Sequence, residues 1–249
     1  MRTVRLRLAY DGTDFSGWQI QASERTVQGV LEKALATIHK EPCRVTGSGR
    51  TDTGVHAAGQ IASFHSSRDS FPAERYCEAL NANLPTDVRV LAADVVPNTF
   101  HARFSAIRRT YHYSWALPGF HRPGADRYSA RLRSVPSLRQ LTALSAPLIG
   151  VHDFSTFTLP SEPSESRVRE VEQLAFFPRS GVLIMQVTAN AFLWRMVRLI
   201  AGTLLYAEVR GEGPSQIAER LAACDHGAAA APAPAHGLSL VRVDYEDGQ

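Results

Sequence analysis

Residues 47–57, GSGRTDTGVHA, place one carboxylate, Asp52, between Arg50 and His56 in a segment that holds three glycines. Such a set could bind phosphate, hold a metal or close a tight turn. A P-loop is excluded because no Gly-Lys-Ser/Thr follows. A metal site is disfavoured because Gly54 interrupts the helical spacing of Asp52 and His56 and no further ligands lie nearby. The simplest alternative is an Asx-type turn in which Asp52 caps its own backbone.

The elements around this glycine-rich loop follow the order β-α-β-β-α-β. Alternating apolar residues predict strands, and apolar residues at helical spacing predict helices. The predicted elements are a strand over 3–10, a helix over 26–40, strands over 42–47 and 59–66, a helix from about 70 to 81, and a strand over 88–96. This is the order of a ferredoxin-like unit, in which the loop joins the second and third strands.

The second half of the chain repeats that order. The predicted elements are a strand over 108–117, a helix over 137–149, strands over 168–177 and 182–188, a helix over 190–207, and a strand over 238–245. The sequence Pro-Arg-Ser-Gly between the two middle strands indicates a hairpin. Residues 152–167 are rich in Ser, Pro and Thr and predict a surface loop, and the segment AAAAPAPA, 228–235, predicts a linker that crosses the surface.

These patterns predict an α+β fold with two ferredoxin-like halves, 1–106 and 107–249. Two antiparallel sheets of this kind could join side by side into one extended sheet and leave a cleft between their loops. The apolar share of 44% is sufficient for a buried core. The most apolar run, 191–205, is interrupted by two arginines, so no membrane span is expected.

The cysteines and the N-terminus indicate a cytoplasmic protein. The three cysteines lie far apart and form no CxxC pair, so neither a disulfide framework nor a zinc site is implied. The N-terminal sequence MRTVRLRLAY lacks the apolar stretch of a signal peptide. We therefore expect a reducing compartment.

The segment 101–139 is strongly basic. It contains eight arginines and a single acid, Asp126. Guanidinium groups present planar, forked donors that suit phosphate, so this segment predicts a nucleic-acid contact. Arginine-rich codon usage is an alternative explanation for a chain with only two lysines. It does not explain why acids are missing from this segment.

The glycine-rich loop resembles the signature G-R-T-D-A-G-V-H of the tRNA pseudouridine synthase A family. Further segments resemble the same family in order and spacing; they are 11–13, 17–19, 26–28, 81–85, 100–106, 109–113, 152–154, 190–193, 196–198 and 233–238. Together they cover the chain from about residue 9 to its end, which makes the match specific. Two departures are Thr53 in place of the usual alanine and Arg195 in place of the histidine of some members.

The resemblance implies an isomerase that breaks the C1′–N1 bond of uridine and joins uracil C5 to C1′. The reaction involves no redox change and no net hydrolysis, so no cofactor and no metal are implied. A single carboxylate can serve as nucleophile or charge stabiliser, and Asp52 matches the family's catalytic aspartate. Arg198 matches its ion-pair partner, and Tyr111 matches the tyrosine that stacks on the base and takes part in proton transfer. Leu238 matches a residue that packs on the base, and Arg50 matches one that fills the vacated space or holds phosphate.

The implied partner is tRNA, modified at uridines 38 to 40 of the anticodon stem-loop by a homodimer that binds one tRNA across both subunits. We expect phosphate contacts from the basic segment, in particular from His101, Arg103, Arg108 and Arg109. His56 is assigned to loop packing or to phosphate. The sequence leaves open whether Asp52 attacks C1′, attacks C6 or assists a glycal intermediate.

Two other function classes remain as alternatives. The first is a catalytically silent RNA-binding module of the same fold, which the joint presence of Asp52, Tyr111 and Arg198 argues against. The second is a glycosylase, which would need a second carboxylate. Asp52 is the only acidic residue between Glu41 and Asp69, so the segment around it offers no second carboxylate.

Overall fold

Residues 1–246 of this computed structural model are described here, and they fall into two separately packed units. One unit contains Met1–Ile107 and the residues from Leu240 on, and the other is Arg108–Ser239. Helices and mainly antiparallel sheets occur in both units, so the predicted α+β class is confirmed. None of the helices within residues 1–246 is long and apolar enough to cross a membrane.

The elements are numbered along the described chain. The strands are β1 (Arg2–Tyr10), β2 (Thr46–Gly47), β3 (His56–Ser66), β4 (Val88–Val96), β5 (Ala106–Ala116), β6 (Ala130–Arg131), β7 (Gly150–Asp153), β8 (Val168–Arg179), β9 (Val182–Ala189) and β10 (Leu238–Tyr245). The helices are α1 (Val27–His39), α2 (Arg75–Asn81), α3 (Leu138–Ser145), α4 (Met196–Val209) and α5 (Pro214–Ala222). Short 3₁₀ turns connect several of them.

In the first unit the strand order is β4-β1-β3, and both β2 and β10 lie beside β3. The pairs β1–β3, β1–β4 and β2–β3 are antiparallel. Helix α1 begins where the Thr26 hydroxyl accepts a hydrogen bond from Gly29 N, as an N-cap does. It buries Leu31 and Leu35 completely. The predicted element order β-α-β-β-α-β is confirmed for residues 2–96.

The pairing of β1 with β3 contains an irregularity that matters for the site. Its register shifts between Leu8 and Tyr10, and Tyr10 then lies opposite Ala57, the second residue of β3. A bulge of this kind bends the strand and re-aims its side chains. It lies where β3 leaves the glycine-rich loop.

In the second unit the strands follow the order β5-β9-β8-β7, with β6 parallel to β5. The hairpin between β8 and β9 is confirmed, and its turn residues Ser180 and Gly181 have φ values of 49° and 81°. Positive φ at both central positions is typical of a type I′ turn, whose twist matches that of the flanking strands.

Several predicted segments differ from the structure. Strand β2 is only Thr46–Gly47 where 42–47 was predicted, and helix α3 ends at Ser145 rather than near residue 149. Helix α4 begins at Met196, because residues 190–195 form a loop that ends at Arg195 with φ of 61°. Helix α2 begins at Arg75 rather than near residue 70. Residues 152–167 are more than a surface loop, since Phe154 and Phe157 are fully buried. Strands β6 and β7 and helix α5 were not predicted.

Candidate functional site

Asp52 lies in a tight turn at the centre of the Asp52 loop, residues 47–55, between β2 and β3. Val55 N donates to Asp52 O over 3.1 Å, and Gly54 has φ of 78°. Glycine adopts this left-handed conformation without a steric penalty. The Asp52 side chain is half-buried.

The N-terminal segment 11–18 holds this loop through its backbone. Trp18 N donates to Thr51 O over 3.0 Å, and Gly54 N donates to Phe15 O over 3.4 Å. A Cβ atom on Gly17 would lie 2.6 Å from Thr51 O, so only glycine permits this approach. The loop is thus fixed on both sides of Asp52.

A network of buried polar side chains is hydrogen-bonded to the Asp52 loop. The Tyr10 hydroxyl is hydrogen-bonded to Thr51 Oγ1 at 2.9 Å. Gln60 is fully buried; its Nε2 donates to Gly49 O over 2.9 Å and its Oε1 accepts from Ser48 Oγ over 2.6 Å. Because buried polar groups without partners are costly, this satisfied network specifies one loop conformation.

Tyr10 provides a test of this network through pH. Burial raises the pKa of Tyr10 to about 12, against hydrogen bonds with Thr51 and Gln60 that lower it. An unfolded tyrosine has a pKa of about 10, so the unfolded chain loses this proton first as pH rises. The contribution to stability is complete below about pH 10 and is lost between about pH 10 and 12, by roughly 2–3 kcal/mol.

Tyr10→Phe should remove this part of the pH dependence. The measurement is the free energy of unfolding in denaturant, for wild type and variant, at several pH values from 9 to about 12. Tyr206→Phe, a change at a partly exposed tyrosine, should keep the wild-type slope. An unchanged slope in Tyr10→Phe would show that the phenol is not held protonated in the fold.

His56 and Arg50 differ in their surroundings. His56 is buried, and its Nδ1 lies 3.0 Å from Gly12 N, which donates to it, and 3.3 Å from Asp11 Oδ1. These contacts tie His56 to the segment 11–18, and its assignment to loop packing or to phosphate stays a prediction. Arg50 is exposed and makes no hydrogen bond or ion pair within residues 1–246.

Tyr111 lies on β5 of the second unit and is 7% exposed. Its ring meets the Phe192 ring edge-on, with centroids 5.0 Å apart. Tyr113, two residues along the same face, is fully buried and donates to Pro234 O over 2.8 Å. Burial holds the pKa of Tyr113 well above its usual value, and Arg198 opposes this rise. The neutral Tyr113 phenol thus forms a fixed part of the second unit.

Arg198 lies on α4 and is tied to the alanine-rich segment 228–235. Its Nε donates to Ala233 O over 2.8 Å, while Ala233 N donates to Arg198 O over 2.9 Å. Ala230 N donates to Thr203 Oγ1 over 3.0 Å. The segment predicted as a linker is therefore a strap fastened to α4, and it orients the Arg198 guanidinium.

Leu238 follows the strap and is 6% exposed. The preceding Gly237 packs on Tyr113, where a Cβ atom would lie 2.6 Å from Cζ of the ring. The roles of Tyr113 and Gly237 as supports of this region could not be predicted from the sequence. In the sequence, only the glycine that precedes Leu238 indicates a close contact here. The contact itself is with Tyr113, more than a hundred residues earlier in the chain.

The four predicted phosphate contacts have different surroundings. Arg103 is exposed, and His101 is half-buried beside it. Arg108 is partly exposed and pairs with Glu172, with Nε 2.6 Å from Oε2. Arg109 is 8% exposed and its Nη1 donates to Asn190 O over 2.8 Å. A phosphate role for these residues remains a prediction.

The structure shows no group of three or more His, Cys, Asp or Glu side chains that could hold a metal ion within residues 1–246. The residues that the sequence predicts for the reaction lie in both units. In the first unit they are Asp52 and Arg50, and in the second unit they are Tyr111, Arg198 and Leu238.

Comparison with known families gives one clear match. A family model described as tRNA pseudouridine synthase matches residues 8–105 and 144–246. Asp52, Arg198 and Leu238 lie inside the matched segments, whereas Tyr111 lies between them.

Several curated relatives cover the whole chain, and each is named tRNA pseudouridine synthase A. The chain is 42% identical over 250 residues to the one from Halalkalibacterium halodurans, covering 100% of this chain and 95% of the relative. It is 41% identical over 250 residues to the one from Bacillus subtilis, covering 98% and 99%. It is 39% identical over 251 residues to the one from Treponema denticola, covering 99% and 94%.

Among solved structures, a chain in the crystal structure of a Cbf5-Nop10-Gar1 complex overlaps with a TM-score of 0.36 at 11% identity. The overlap covers 96% of this chain and 59% of that chain. A likeness of this size carries no argument about fold or function.

Proposed function

Since the chain belongs to the tRNA pseudouridine synthase family, we propose that it isomerises uridine to pseudouridine in the tRNA anticodon stem-loop and that Asp52 is the carboxylate that carries this reaction. The observation that carries the proposal is the support of the Asp52 loop. A half-buried carboxylate lies in a turn fixed by backbone hydrogen bonds and by a buried polar network. Holding a reacting group in one geometry lowers the barrier of the step it takes part in.

The isomerisation breaks the C1′–N1 bond, turns the uracil, forms a C5–C1′ bond and releases the C5 hydrogen as a proton. Attack at C1′, attack at C6 and formation of a glycal each need the ionised carboxylate of Asp52. Arg198 is proposed to stabilise that ionised form. Its Nε bond to Ala233 O supports this role, because it limits the positions the guanidinium can take.

Tyr111, Leu238 and Arg50 are proposed to handle the base. Tyr111 would stack on the uracil and take part in proton transfer, and its packing on Phe192 supports a fixed ring position. Leu238 would pack on the same base. Arg50, which is exposed, would occupy the space left when the uridine leaves the stack, where unpairing costs on the order of a few kcal/mol.

The finer substrate assignment is also a proposal. We propose uridines 38, 39 and 40 as targets and a homodimer that binds one tRNA across both subunits. His101, Arg103, Arg108 and Arg109 would contribute phosphate contacts from the basic segment. The protein would act in the cytoplasm, where its tRNA substrate is found.

The test uses three tRNA transcripts, each carrying tritium at uracil C5 of a single position, 38, 39 or 40. We expect the wild-type protein to release tritium to water from each transcript without releasing free uracil. Free uracil would indicate a glycosylase. Tight tRNA binding with no release from any position would indicate a silent binding module. A fourth transcript carries tritium at every uridine; release from it, with none from the three single-position transcripts, would overturn the substrate assignment.

The same assay tests Tyr111 and Arg198. In single turnover, Tyr111→Phe and Arg198→Lys should each slow tritium release by roughly 10²–10³-fold, the size typical of positioned acid–base and charge-stabilising groups. Tyr128→Phe and Arg210→Lys, which change exposed side chains on the same unit, should retain the wild-type rate. Wild-type rates in the site variants would remove these residues from the mechanism.

A further inference from the structure

Phe104 is the one exposed phenylalanine of this chain, all of whose phenylalanines lie within residues 1–246. Its relative exposure is 77%, whereas none of the other ten phenylalanines, all within residues 1–246, is exposed. An aromatic ring left in water gives up the stabilisation that burial brings. An exposed ring that is also held in place therefore suggests a binding role.

The turn at 101–105, here called the Phe104 turn, fixes this ring in the open. His101 Nδ1 accepts hydrogen bonds from Arg103 N at 3.2 Å and Phe104 N at 3.1 Å. Ser105 N donates to His101 O over 2.9 Å, and His101 N donates to Ser105 Oγ over 3.1 Å. These bonds fix the backbone on both sides of Phe104.

The base of the turn is anchored in the core of the first unit. Ala102 is fully buried in a cluster with Ile61 and Phe100. The Tyr245 hydroxyl donates to Ala102 O over 2.7 Å. With Ala102 held inside, the turn presents Phe104 to solvent.

The ring has neighbours that suit a nucleobase. The His101 ring stacks on it with centroids 4.4 Å apart and planes inclined by 26°. The guanidinium carbon of Arg103 lies 5.7 Å from the ring centroid. No acidic residue occurs between Asp94 and Asp126 in the sequence. Aromatic rings with an adjacent guanidinium bind single-stranded RNA, because every base has a stacking face and every nucleotide a phosphate.

We propose that the Phe104 turn is a stacking platform for an unpaired base of the tRNA, with Arg103 contacting the phosphate of that nucleotide. The inference rests on the proposed function and adds to it a contact with a base that is not the one isomerised. The platform would position the anticodon stem-loop through a base face, independent of sequence. Phe104 is thus a positioning residue.

The experiment compares tRNA affinity and turnover for wild type, Phe104→Ala, Phe104→Trp and Arg103→Gln. Phe104→Ala should weaken tRNA binding and raise KM by about 10-fold, the size of one lost base stack, with kcat retained at saturating tRNA. Phe104→Trp should restore both values. A fully paired RNA duplex should bind wild type and Phe104→Ala equally.

The salt dependence of tRNA binding distinguishes the contribution of Phe104 from that of Arg103. Phe104→Ala should leave the slope of log K against log salt unchanged, because stacking releases no counterions. Arg103→Gln should reduce that slope by about one unit. Tyr206→Ala, at a partly exposed aromatic residue of the other unit, is the matched control and should bind tRNA as wild type does.

Three results would overturn the platform. The first is an unchanged tRNA affinity and KM in Phe104→Ala. The second is an equal loss of affinity for tRNA and for the paired duplex. The third is wild-type tRNA affinity together with a change of oligomeric state in light scattering, which would assign Phe104 to contact with a second copy. Tritium release by the wild type is measured in parallel, so failure of the platform is distinguished from failure of the proposed function.

Discussion

Asp52→Asn is expected to abolish tritium release from C5-labelled tRNA, with a loss on the order of 10⁴-fold or more, as for other essential catalytic groups. Asparagine keeps the size of the side chain and its capacity for hydrogen bonds, but it has neither the negative charge nor the nucleophilic oxygen. Every route open to this reaction requires one or the other. Since the turn is fixed by backbone contacts on both sides of residue 52, the loop conformation should persist.

The measurement is single-turnover tritium release, with tRNA affinity measured on the same preparations. Asp69→Asn is the matched control, because Asp69 is an exposed carboxylate of the same unit whose contact is with the N-terminal amine. It should release tritium at the wild-type rate. The variant at residue 52 should still bind tRNA. Release that survives Asp52→Asn would mean that a different carboxylate carries the reaction.

Elements with a regular apolar pattern could be predicted closely from the sequence. Strand β10 was predicted at its observed bounds, and α1 within one residue at each end. In these elements the alternation or the helical spacing records which side chains are buried, as Leu31 and Leu35 show. For such elements the local sequence is sufficient to predict the type and the bounds.

The start of α4 could not be predicted in this way. Residues 190–195 continue an apolar pattern, but the structure holds them as a loop through distant residues. Glu162 Oε2 accepts from Trp194 N over 2.5 Å, and Thr158 Oγ1 donates to Trp194 O over 3.0 Å. These partners lie more than thirty residues away in the chain, so no local pattern reveals them.

In the candidate site, too, local features could be predicted and distant contacts could not. Asp52 and its turn glycine Gly54 belong to one short motif, and their residue types alone indicate a functional loop. The support from Tyr10 and Gln60 depends on a register shift between two strands, which spacing does not encode. The strap at 228–235 has a composition that suggests a free linker, whereas its backbone is bonded to α4.

Gly12→Ala is expected to displace the Asp52 loop without altering any side chain of the site. A Cβ atom at residue 12 would lie 2.0 Å from Val55 O and 2.6 Å from Val55 C. Both atoms belong to the backbone, so no side-chain rotation relieves the contact. Val55 N closes the turn at Asp52 O, and the strain is therefore passed directly to residue 52, the proposed catalytic carboxylate.

Two quantities should change together in Gly12→Ala. The free energy of unfolding should fall by about 1–3 kcal/mol or more, as for other overpacked sites. The rate of tritium release should fall by about 10²-fold for a displacement of about 1 Å at Asp52. The measurements are denaturant unfolding and single-turnover release on folded protein below the unfolding transition.

Gly227→Ala is the control, since its Cβ atom would meet nothing closer than 3.4 Å, the distance to Asp225 Oδ2. It should keep stability and rate close to wild type. A folded Gly12→Ala protein with reduced stability but full activity would show that the reaction tolerates movement of the Asp52 loop. Wild-type values for both quantities would mean that residues 11–18 do not hold this loop in solution. A parallel loss of both would tie the position of Asp52 to the close approach of the two backbones at Gly12 and Val55.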